Sequence, residues 1–281
     1  GVVFPMTTNG SYTAPVSGSE FNIDAKSEDL GATFFDVDGD GDQDLYVVSG
    51  GNEYEDGNKN YQDRLYINDG TGIFKKDKSF QALSISGSAV AAADYDGDGD
   101  IDVFASGRQV PGFYGYDASS SLYLNEGGKL KLDVNTSNLF NEIGMVTDAV
   151  WTDYDQDKDL DLLLVGEWMP LTIYNNDGGK LSKYDGDEAW KNTSGWWNEI
   201  TIADLDGDGD DDYIAGNLGL NLKYKASKEE PFKLFTKDFD GNGTHDVYLG
   251  YYDQDGTLYP VRGRQCSSQQ MPFIKEKFED Y

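Results

Sequence analysis

The sequence contains very few of the residues on which several common functions depend. It has one cysteine, Cys266, and one histidine, His245, which excludes an internal disulfide and a zinc or iron site built from several histidines. We expect Cys266 to be a buried or half-buried free thiol. Only 22 basic residues stand against 52 acidic ones, a formal net charge of −30 that argues against binding nucleic acid or an anionic membrane surface.

Long apolar runs are also missing. No stretch of about 18 or more apolar residues occurs, so we expect no membrane-spanning helix and no direct membrane insertion. The chain begins and ends abruptly, and we expect it to be a piece of a longer protein. With 38% hydrophobic and 14% aromatic residues, it has too much core-forming material for a disordered acidic segment. The chain therefore folds, and its acidic residues must be accommodated in a defined way.

The acidic residues are concentrated in one phrase that occurs five times between short apolar runs. The phrases begin at Asp36, Asp94, Asp153, Asp204 and Asp238. After each of the first three, a β-branched and apolar run ends in an Asn- or Asp-Gly turn, at residues 64–70, 121–128 and 171–179. The unit is strand, acidic loop, strand, connection, strand, turn, strand, which predicts the four-stranded antiparallel blade of an all-β propeller. The last two phrases are too close together for two outer strands, so the fourth blade should depart from this pattern.

Each phrase follows the pattern D-x-D-x-D-G-x-x-D, which indicates a calcium loop. Carboxylates at positions 1, 3, 5 and 9 can converge only if the loop is tight, and glycine at position 6 permits the sharp turn. Calcium takes about six to eight oxygen ligands, including a backbone carbonyl at position 7, whereas magnesium retains more of its waters. Up to five calcium ions are predicted, one per loop. The predicted metal-binding residues are Asp36, Asp38, Asp40, Asp42 and Asp44; Asp94, Asp96, Asp98, Asp100 and Asp102; Asp153, Asp155, Asp157, Asp159 and Asp161; Asp204, Asp206, Asp208, Asp210 and Asp212; and Asp238, Asp240, Asn242, Thr244 and Asp246.

Two of the five loops depart from the pattern. In the third, Lys158 replaces the glycine at position 6 and must adopt a left-handed conformation at a cost of about 1 kcal/mol, so this site should be the weakest. In the fifth, Asn242 replaces an aspartate and Thr244 occupies position 7, where only the backbone oxygen is needed. His245 falls at position 8, and we expect it to be exposed and not a ligand.

The acidic phrase, followed by Leu-Tyr-x-Asn-x-Gly, resembles the FG-GAP/VCBS repeats of integrin α chains, cartilage acidic proteins and many bacterial surface proteins. The resemblance implies a calcium-bearing propeller over residues 31–260, preceded by a linker or blade remnant at 1–30 and followed by a further segment at 261–281. Such propellers commonly have seven blades, so about five blades would be a partial propeller. Segments 195–221 and 259–272 look like parts of secreted or outer-membrane proteins of Bacteroidetes-type bacteria, which implies an extracytoplasmic location.

The sequence leaves several functions open. The leading hypothesis is a non-catalytic module that binds a protein or glycan at the cell surface. The alternatives are an accessory subunit of an outer-membrane uptake or secretion complex and a polysaccharide-active enzyme. Candidate binding surfaces are two long loops, 52–61 and 108–117, and a tryptophan-rich region comprising Trp168, Trp190, Trp196 and Trp197. Because neighbouring residues of a strand point to opposite faces, at most one of Trp196 and Trp197 can be exposed, and core packing is the alternative for both.

Overall fold

Most of the described chain forms antiparallel strands, as the repeated pattern predicts. The computed structural model describes Met6 and residues 9–12, 19–186, 188–219 and 222–278. The chain divides into two compact units: unit 1 comprises Gly1–Pro111 and Asp117–Asn217, and unit 2 comprises Gly112–Tyr116 and Leu218–Tyr281. This division falls inside the predicted repeat region, whose outer boundaries stay a prediction.

Unit 1 contains two regular four-stranded sheets, in which neighbours in sequence pair with each other in antiparallel fashion. The first consists of β1 (Glu28–Phe35), β2 (Asp44–Gly50), β3 (Arg64–Asn68) and β4 (Phe74–Lys76). The second consists of β5 (Ser86–Ala93), β6 (Asp102–Gln109), β7 (Ser121–Asn125) and β8 (Leu130–Leu132). These are the predicted blades, with the acidic loop between the first and second strands.

The third blade repeats this order and is joined to a shorter fourth one. It consists of β9 (Met145–Thr152), β10 (Asp161–Met169), β11 (Thr172–Asn175) and β12 (Ser182–Lys183). The hairpin of β13 (Gly195–Ala203) and β14 (Asp212–Asn217) carries the fourth acidic loop and pairs with the end of β10. Among the residues of unit 1 that are described, no further strand follows β14, so the fourth blade departs from the pattern as predicted.

The blades of unit 1 pack face to face. The first strands contact each other in order, β1 with β5, β5 with β9 and β9 with β13. Second strands are buried on both faces, and in each of β2, β6 and β10 the first aspartate is followed by a short continuous apolar run, at 45–48, 103–105 and 162–165. Glycine permits the close approach: a Cβ atom on Gly31 would lie 2.4 Å from the carbonyl oxygen of Ser88 in the next blade. Successive four-stranded sheets packed in this way are propeller blades, and the predicted all-β fold class is confirmed.

Aromatic and aliphatic side chains fill the spaces between blades. One cluster joins blades 1 and 2 and includes Val48, Leu65, Phe80 and Tyr123. A second cluster joins blades 2 and 3 and includes Phe104, Leu122, Phe140, Leu164 and Tyr174. All of these side chains except Phe80 are almost completely shielded from solvent. The core therefore lies between the sheets, and the acidic loops lie at one end of each blade.

Unit 2 contains a three-stranded sheet and two helices, and it corrects two expectations. Its elements are β15 (Lys233–Lys237), β16 (Asp246–Tyr252), β17 (Leu258–Pro260), α4 (Arg264–Gln270) and α5 (Phe273–Lys277). Cys266 is exposed and not buried as expected, because α4 turns Ser267 and Ser268 inward instead. His245 is half-buried and not exposed, because its ring packs against Phe113 at 4.6 Å between centroids and Tyr116 lies within hydrogen-bond distance of its Nε2.

The remaining helices are short. They are α1 (Ser19–Ile23), α2 (Val134–Ser137) and α3 (Glu188–Lys191). None of the helices described is long and apolar enough to cross a membrane.

Candidate metal centres

Each acidic loop turns the chain from the first to the second strand of a blade. We number them loop 1 (36–44), loop 2 (94–102), loop 3 (153–161) and loop 4 (204–212) in unit 1, and loop 5 (238–246) in unit 2. In every loop the aspartate at position 9 is the first residue of the second strand and pairs with the last residue of the first strand, as Asp102 does with Ala93. The two ends of each loop are thereby held side by side.

Three carboxylates converge in each loop. One oxygen from each lies within 4.8 Å of the others. The groups are Asp36, Asp38 and Asp40; Asp94, Asp96 and Asp102; Asp153, Asp155 and Asp161; Asp204, Asp206 and Asp212; and Asp238, Asp240 and Asp246. Four of the five groups thus use positions 1, 3 and 9, and loop 1 uses positions 1, 3 and 5. Three negative charges this close repel each other strongly without a cation, and the arrangement is one that could hold a metal ion.

The loop is curled by hydrogen bonds to the aspartate at position 1. In loop 1, Gly39 N–H donates to Asp36 Oδ1 at 2.8 Å and Gly41 N–H donates to Asp36 Oδ2 at 2.9 Å. The same pair of bonds occurs in loops 2, 4 and 5. Both donors have positive φ, 75° for Gly39 and 92° for Gly41. Sequence reasoning identified only the glycine at position 6. The glycine recurring at position 4 was the signal for the second left-handed residue.

The aspartate at position 9 ties the loop to the rest of its blade. Asp44 accepts a hydrogen bond from Val37 N–H at 2.9 Å, across the loop, and another from Asn68 N–H at 2.8 Å, at the end of β3. Asp161 makes the same two contacts, with Tyr154 N–H and Asn176 N–H, both at 2.8 Å. These carboxylates are almost completely shielded from solvent. Position 9 is therefore a structural link as well as a candidate ligand.

Burial also affects two of the converging carboxylates, Asp102 and Asp153. Asp153 Oδ1 is buried and accepts no hydrogen bond. Burial, and then the charges of Asp96 and Asp98, raise the pKa of Asp102 to about 7, although the Asn125 and Tyr95 backbone groups partly oppose this. An orphaned oxygen within a group of oxygen donors fits a hard cation of the calcium type.

The side chain at position 7 is directed away from the converging carboxylates. Asp100 Oδ2 accepts from Gly127 N–H at 2.9 Å, and Asp159 Oδ2 accepts from Gly178 N–H at 2.6 Å. Both donors lie in the turn between the third and fourth strands of the same blade. This arrangement agrees with a purely backbone contribution of position 7 to the metal.

Loop 3 keeps this shape without glycine. Gln156 and Lys158 take φ values of 63° and 83°, so Lys158 adopts the expected left-handed conformation. Lys158 N–H donates to Asp153 Oδ2 at 3.1 Å, but Asp153 Oδ1 receives no bond. The weaker metal binding expected of this loop stays a prediction.

Loop 5 differs from the others at positions 5 and 7 and is supported by Gln270, a residue that the sequence did not point to. Asn242 Oδ1 accepts from Thr244 N–H at 2.7 Å, and neither residue belongs to the converging group. Asp246 Oδ1 accepts from Gln270 Nε2 at 2.8 Å, a residue of α4. In loops 1 to 3 a backbone N–H at or directly after the end of the third strand fills this role. No local pattern around Gln270 could have indicated it.

The tryptophans divide between the core and a separate pair. Trp197 and Trp190 pack on the cluster formed by Leu163, Val165 and Ile200. Trp196 points to the other face of β13, where its ring lies 5.2 Å from that of Trp168. The opposite orientation of Trp196 and Trp197 agrees with their adjacent positions on one strand.

The blades and the five acidic loops define a repeat protein of the β-propeller class. Residues 36–105 and 153–215 match the family described as FG-GAP-like repeat, so these two regions consist of FG-GAP-like repeats. The two matched regions contain loops 1 to 4 in full, and the gap between them covers the last part of blade 2 and the first strand of blade 3. No curated protein matches the chain.

Proposed function

We propose that the chain is a calcium-stabilised, non-catalytic β-propeller module. The observation that supports this is the repeated convergence of three carboxylates, together with the buried Asp153 oxygen that accepts no hydrogen bond. Each ion would hold the corner between the first two strands of a blade. The carboxylates at positions 1, 3 and 9 would be metal ligands and not acids or bases, which favours a structural over a catalytic role.

Calcium removal tests this proposal. Binding to the folded state alone stabilises it by about 2.7 kcal/mol per site at a calcium concentration about 100-fold above Kd. We expect chelation to lower Tm by roughly 10 °C or more, because several sites contribute. Magnesium at the same concentration should restore less of the stability. Equal Tm values with calcium and with chelator, together with no heat of calcium binding, would contradict the proposal.

We further propose that the module binds a glycan at the bacterial cell surface through Trp168 and Trp196. Trp168 lies in a β-bulge between Glu167 and Met169 and has a φ of 62°, a costly conformation for a bulky residue. The bulge places its ring beside Trp196, next to the ion pair of Arg108 and Glu167 at 2.5 Å. Aromatic faces beside charged groups suit the apolar and hydroxyl faces of a sugar.

A glycan array and two variants test the ligand. Trp168→Gly retains the left-handed backbone, Trp196→Ala removes the second ring, and Tyr259→Ala in unit 2 is the matched control for an exposed aromatic residue. We expect both tryptophan variants to lose glycan binding and the control to retain it. Equal binding by all three would contradict this site, and capture of a protein but no glycan would favour a protein ligand.

We also propose an extracytoplasmic location, which calcium binding would favour. Calcium is millimolar outside the cytoplasm, where loops of this kind fill readily. A subunit of an outer-membrane uptake or secretion complex is the alternative setting. Purification of the protein from solubilised outer membranes distinguishes the two settings. Recovery of the protein with stoichiometric membrane partners supports the complex, and recovery of the protein without partners supports a free surface module.

A further inference from the structure

The metal loops of unit 1 contact neighbouring blades through residues that are not ligands. The outer turn of a blade, defined here as the turn between its third and fourth strands, is formed by residues 125–128 in blade 2 and 176–179 in blade 3. Asn125 donates from Nδ2 to the carbonyl oxygen of Val37 in loop 1 at 2.8 Å. Asn176 donates from Nδ2 to the carbonyl oxygen of Tyr95 in loop 2 at 2.6 Å. Each asparagine therefore reaches the loop of the preceding blade.

The contacted carbonyl lies between two candidate ligands. Val37 and Tyr95 occupy position 2 of their loops, between the aspartates at positions 1 and 3. A hydrogen bond to this carbonyl fixes the peptide that joins the two ligands. Both asparagines are buried, with 2% of their surface exposed, so the bond is shielded from competing water.

A glycine of the same turn packs directly on the position 3 aspartate of the preceding blade's loop. A Cβ atom on Gly128 would lie 3.1 Å from both Cα and Cβ of Asp38, and one on Gly179 would lie 2.9 Å from Cβ of Asp96. Asp38 and Asp96 are the position 3 aspartates of loops 1 and 2. The outer turn thus supports positions 2 and 3 of the preceding loop.

The same asparagine also holds the loop of its own blade. Asn125 N–H donates to Asp102 Oδ1 at 2.8 Å, and Asn176 N–H donates to Asp161 Oδ1 at 2.8 Å. A single residue therefore contacts loops 1 and 2, and another contacts loops 2 and 3. Asn68, its counterpart in blade 1, donates from Nδ2 to Gln43 in its own blade at 3.2 Å.

Loops 3 and 4 are linked by a different device. Blade 4 has no outer turn among the described residues of unit 1. Asp210, at position 7, therefore has no turn glycine to donate a hydrogen bond to it, as Gly127 does to Asp100. Instead, Gln156 of loop 3 donates from Nε2 to Asp210 Oδ2 at 3.1 Å. Thr152, the residue before loop 3, donates to Asp211 Oδ2 at 2.8 Å. This contact gives a physical reason for glutamine at a position where the other loops have glycine.

We propose that Asn125, Asn176 and Gln156 are positioning residues that couple the calcium sites of neighbouring blades. Filling one site orders a segment that already supports the next, so calcium binds adjacent loops with positive cooperativity. The inference rests on the calcium binding proposed above. Under this proposal, the calcium affinity of a loop depends partly on a residue of a neighbouring blade.

Glycine amide signals give a separate readout for four of the sites. Selective 15N-glycine labelling reports loop 1 through Gly39 and Gly41, loop 2 through Gly97 and Gly99, loop 4 through Gly207 and Gly209, and loop 5 through Gly241 and Gly243. All of these amides donate to the position 1 aspartate, so their shifts follow the filling of that loop. The titration uses calcium alone.

Two serine variants distinguish support of the loop in the preceding blade from support of the loop in the same blade. Serine retains a neutral acceptor in the turn but is too short to reach the preceding loop. We expect Asn125→Ser to raise the calcium midpoint of loop 1 by about tenfold and Asn176→Ser to raise that of loop 2 by a similar factor. Asn68→Ser, the matched control, should leave loops 2, 4 and 5 unchanged. A larger shift of loop 2 than of loop 1 in Asn125→Ser would overturn the proposal.

Gln156→Gly provides a test at an exposed position that does not endanger folding. It removes the contact with Asp210 and should raise the midpoint of loop 4 by about threefold. Lys158→Gly changes a left-handed residue in the same loop but keeps the contact between Gln156 and Asp210, so its loop 4 midpoint should not rise. An unchanged loop 4 in both variants would overturn this link. If no loop signal of the unaltered protein responded to calcium, the proposed function itself would fail.

Discussion

Loops 2 and 3 bring the same three positions together with different residues at their two left-handed positions. In loop 2 the left-handed residues are Gly97 and Gly99, and in loop 3 they are Gln156 and Lys158. Both loops nevertheless hold their position 9 aspartate in the same place, with an asparagine N–H at 2.8 Å. The comparison teaches that hydrogen bonds to the aspartates and the flanking strands set the shape of the loop. Glycine at these positions lowers the cost of that shape.

The largest effect should come from removing the shared anchor. Asp102→Ala and Asp161→Ala each delete a candidate ligand and leave a buried asparagine N–H without its acceptor. We expect each to lower the free energy of unfolding in calcium by about 2–4 kcal/mol, measured by urea denaturation. The two losses should agree within about 1 kcal/mol if the anchor sets the shape of both loops. A small loss in loop 3 alone would show that its shape depends on something else.

The pH dependence of the calcium-free protein gives the next test. Because the pKa of Asp102 is raised to about 7 in the folded state from an ordinary value near 3.8, the folded state binds more protons between these pH values. Stability of the calcium-free protein should therefore fall as pH rises from about 4 to about 7. Asp102→Asn should reduce this fall in thermal melts. If the variant and the parent lost stability in parallel over this range, Asp102 would not be its source.

Adding a side chain to the glycine backbone of loop 2 should have a smaller effect. Gly99 has a φ of 98°, and alanine there should cost about 1–2 kcal/mol in unfolding experiments. Gly263→Ala, at a glycine with an extended φ of −67° and open space around it, is the control and should cost little. Equal costs at both positions would remove the conformational argument.

The smallest effect should be the reverse substitution in loop 3. Lys158→Gly relieves the left-handed strain but adds conformational entropy to the unfolded state, so we expect a gain of at most about 1 kcal/mol. It should also raise the calcium affinity of loop 3, and the new glycine amide gives a direct signal for that site. Weaker binding by the variant would show that the lysine supports the loop, contrary to the predicted weakness of this site.

The fold and the loops were predictable because their determinants are local and repeated. The spacing of aspartates, the glycine at position 6 and the Asn-Gly turns predict the order of strands within each blade, which the structure confirms. Other features depend on contacts between distant residues. The support of Asp246 by Gln270, the packing of His245 against Phe113 and the exposure of Cys266 have no signature in the neighbouring sequence.

By itself, the sequence determined that the chain is an all-β repeat protein with five acidic loops of one design. It could do so because a turn with left-handed glycines and alternating aspartates is specified by residues close together in the chain. Only the tertiary structure decided which carboxylates converge, which of their oxygens lack a donor, and that Asn125 and Asn176 reach the loops of preceding blades. Those features arise when separate blades pack together, because burial and hydrogen bonding across blades are properties of that packing.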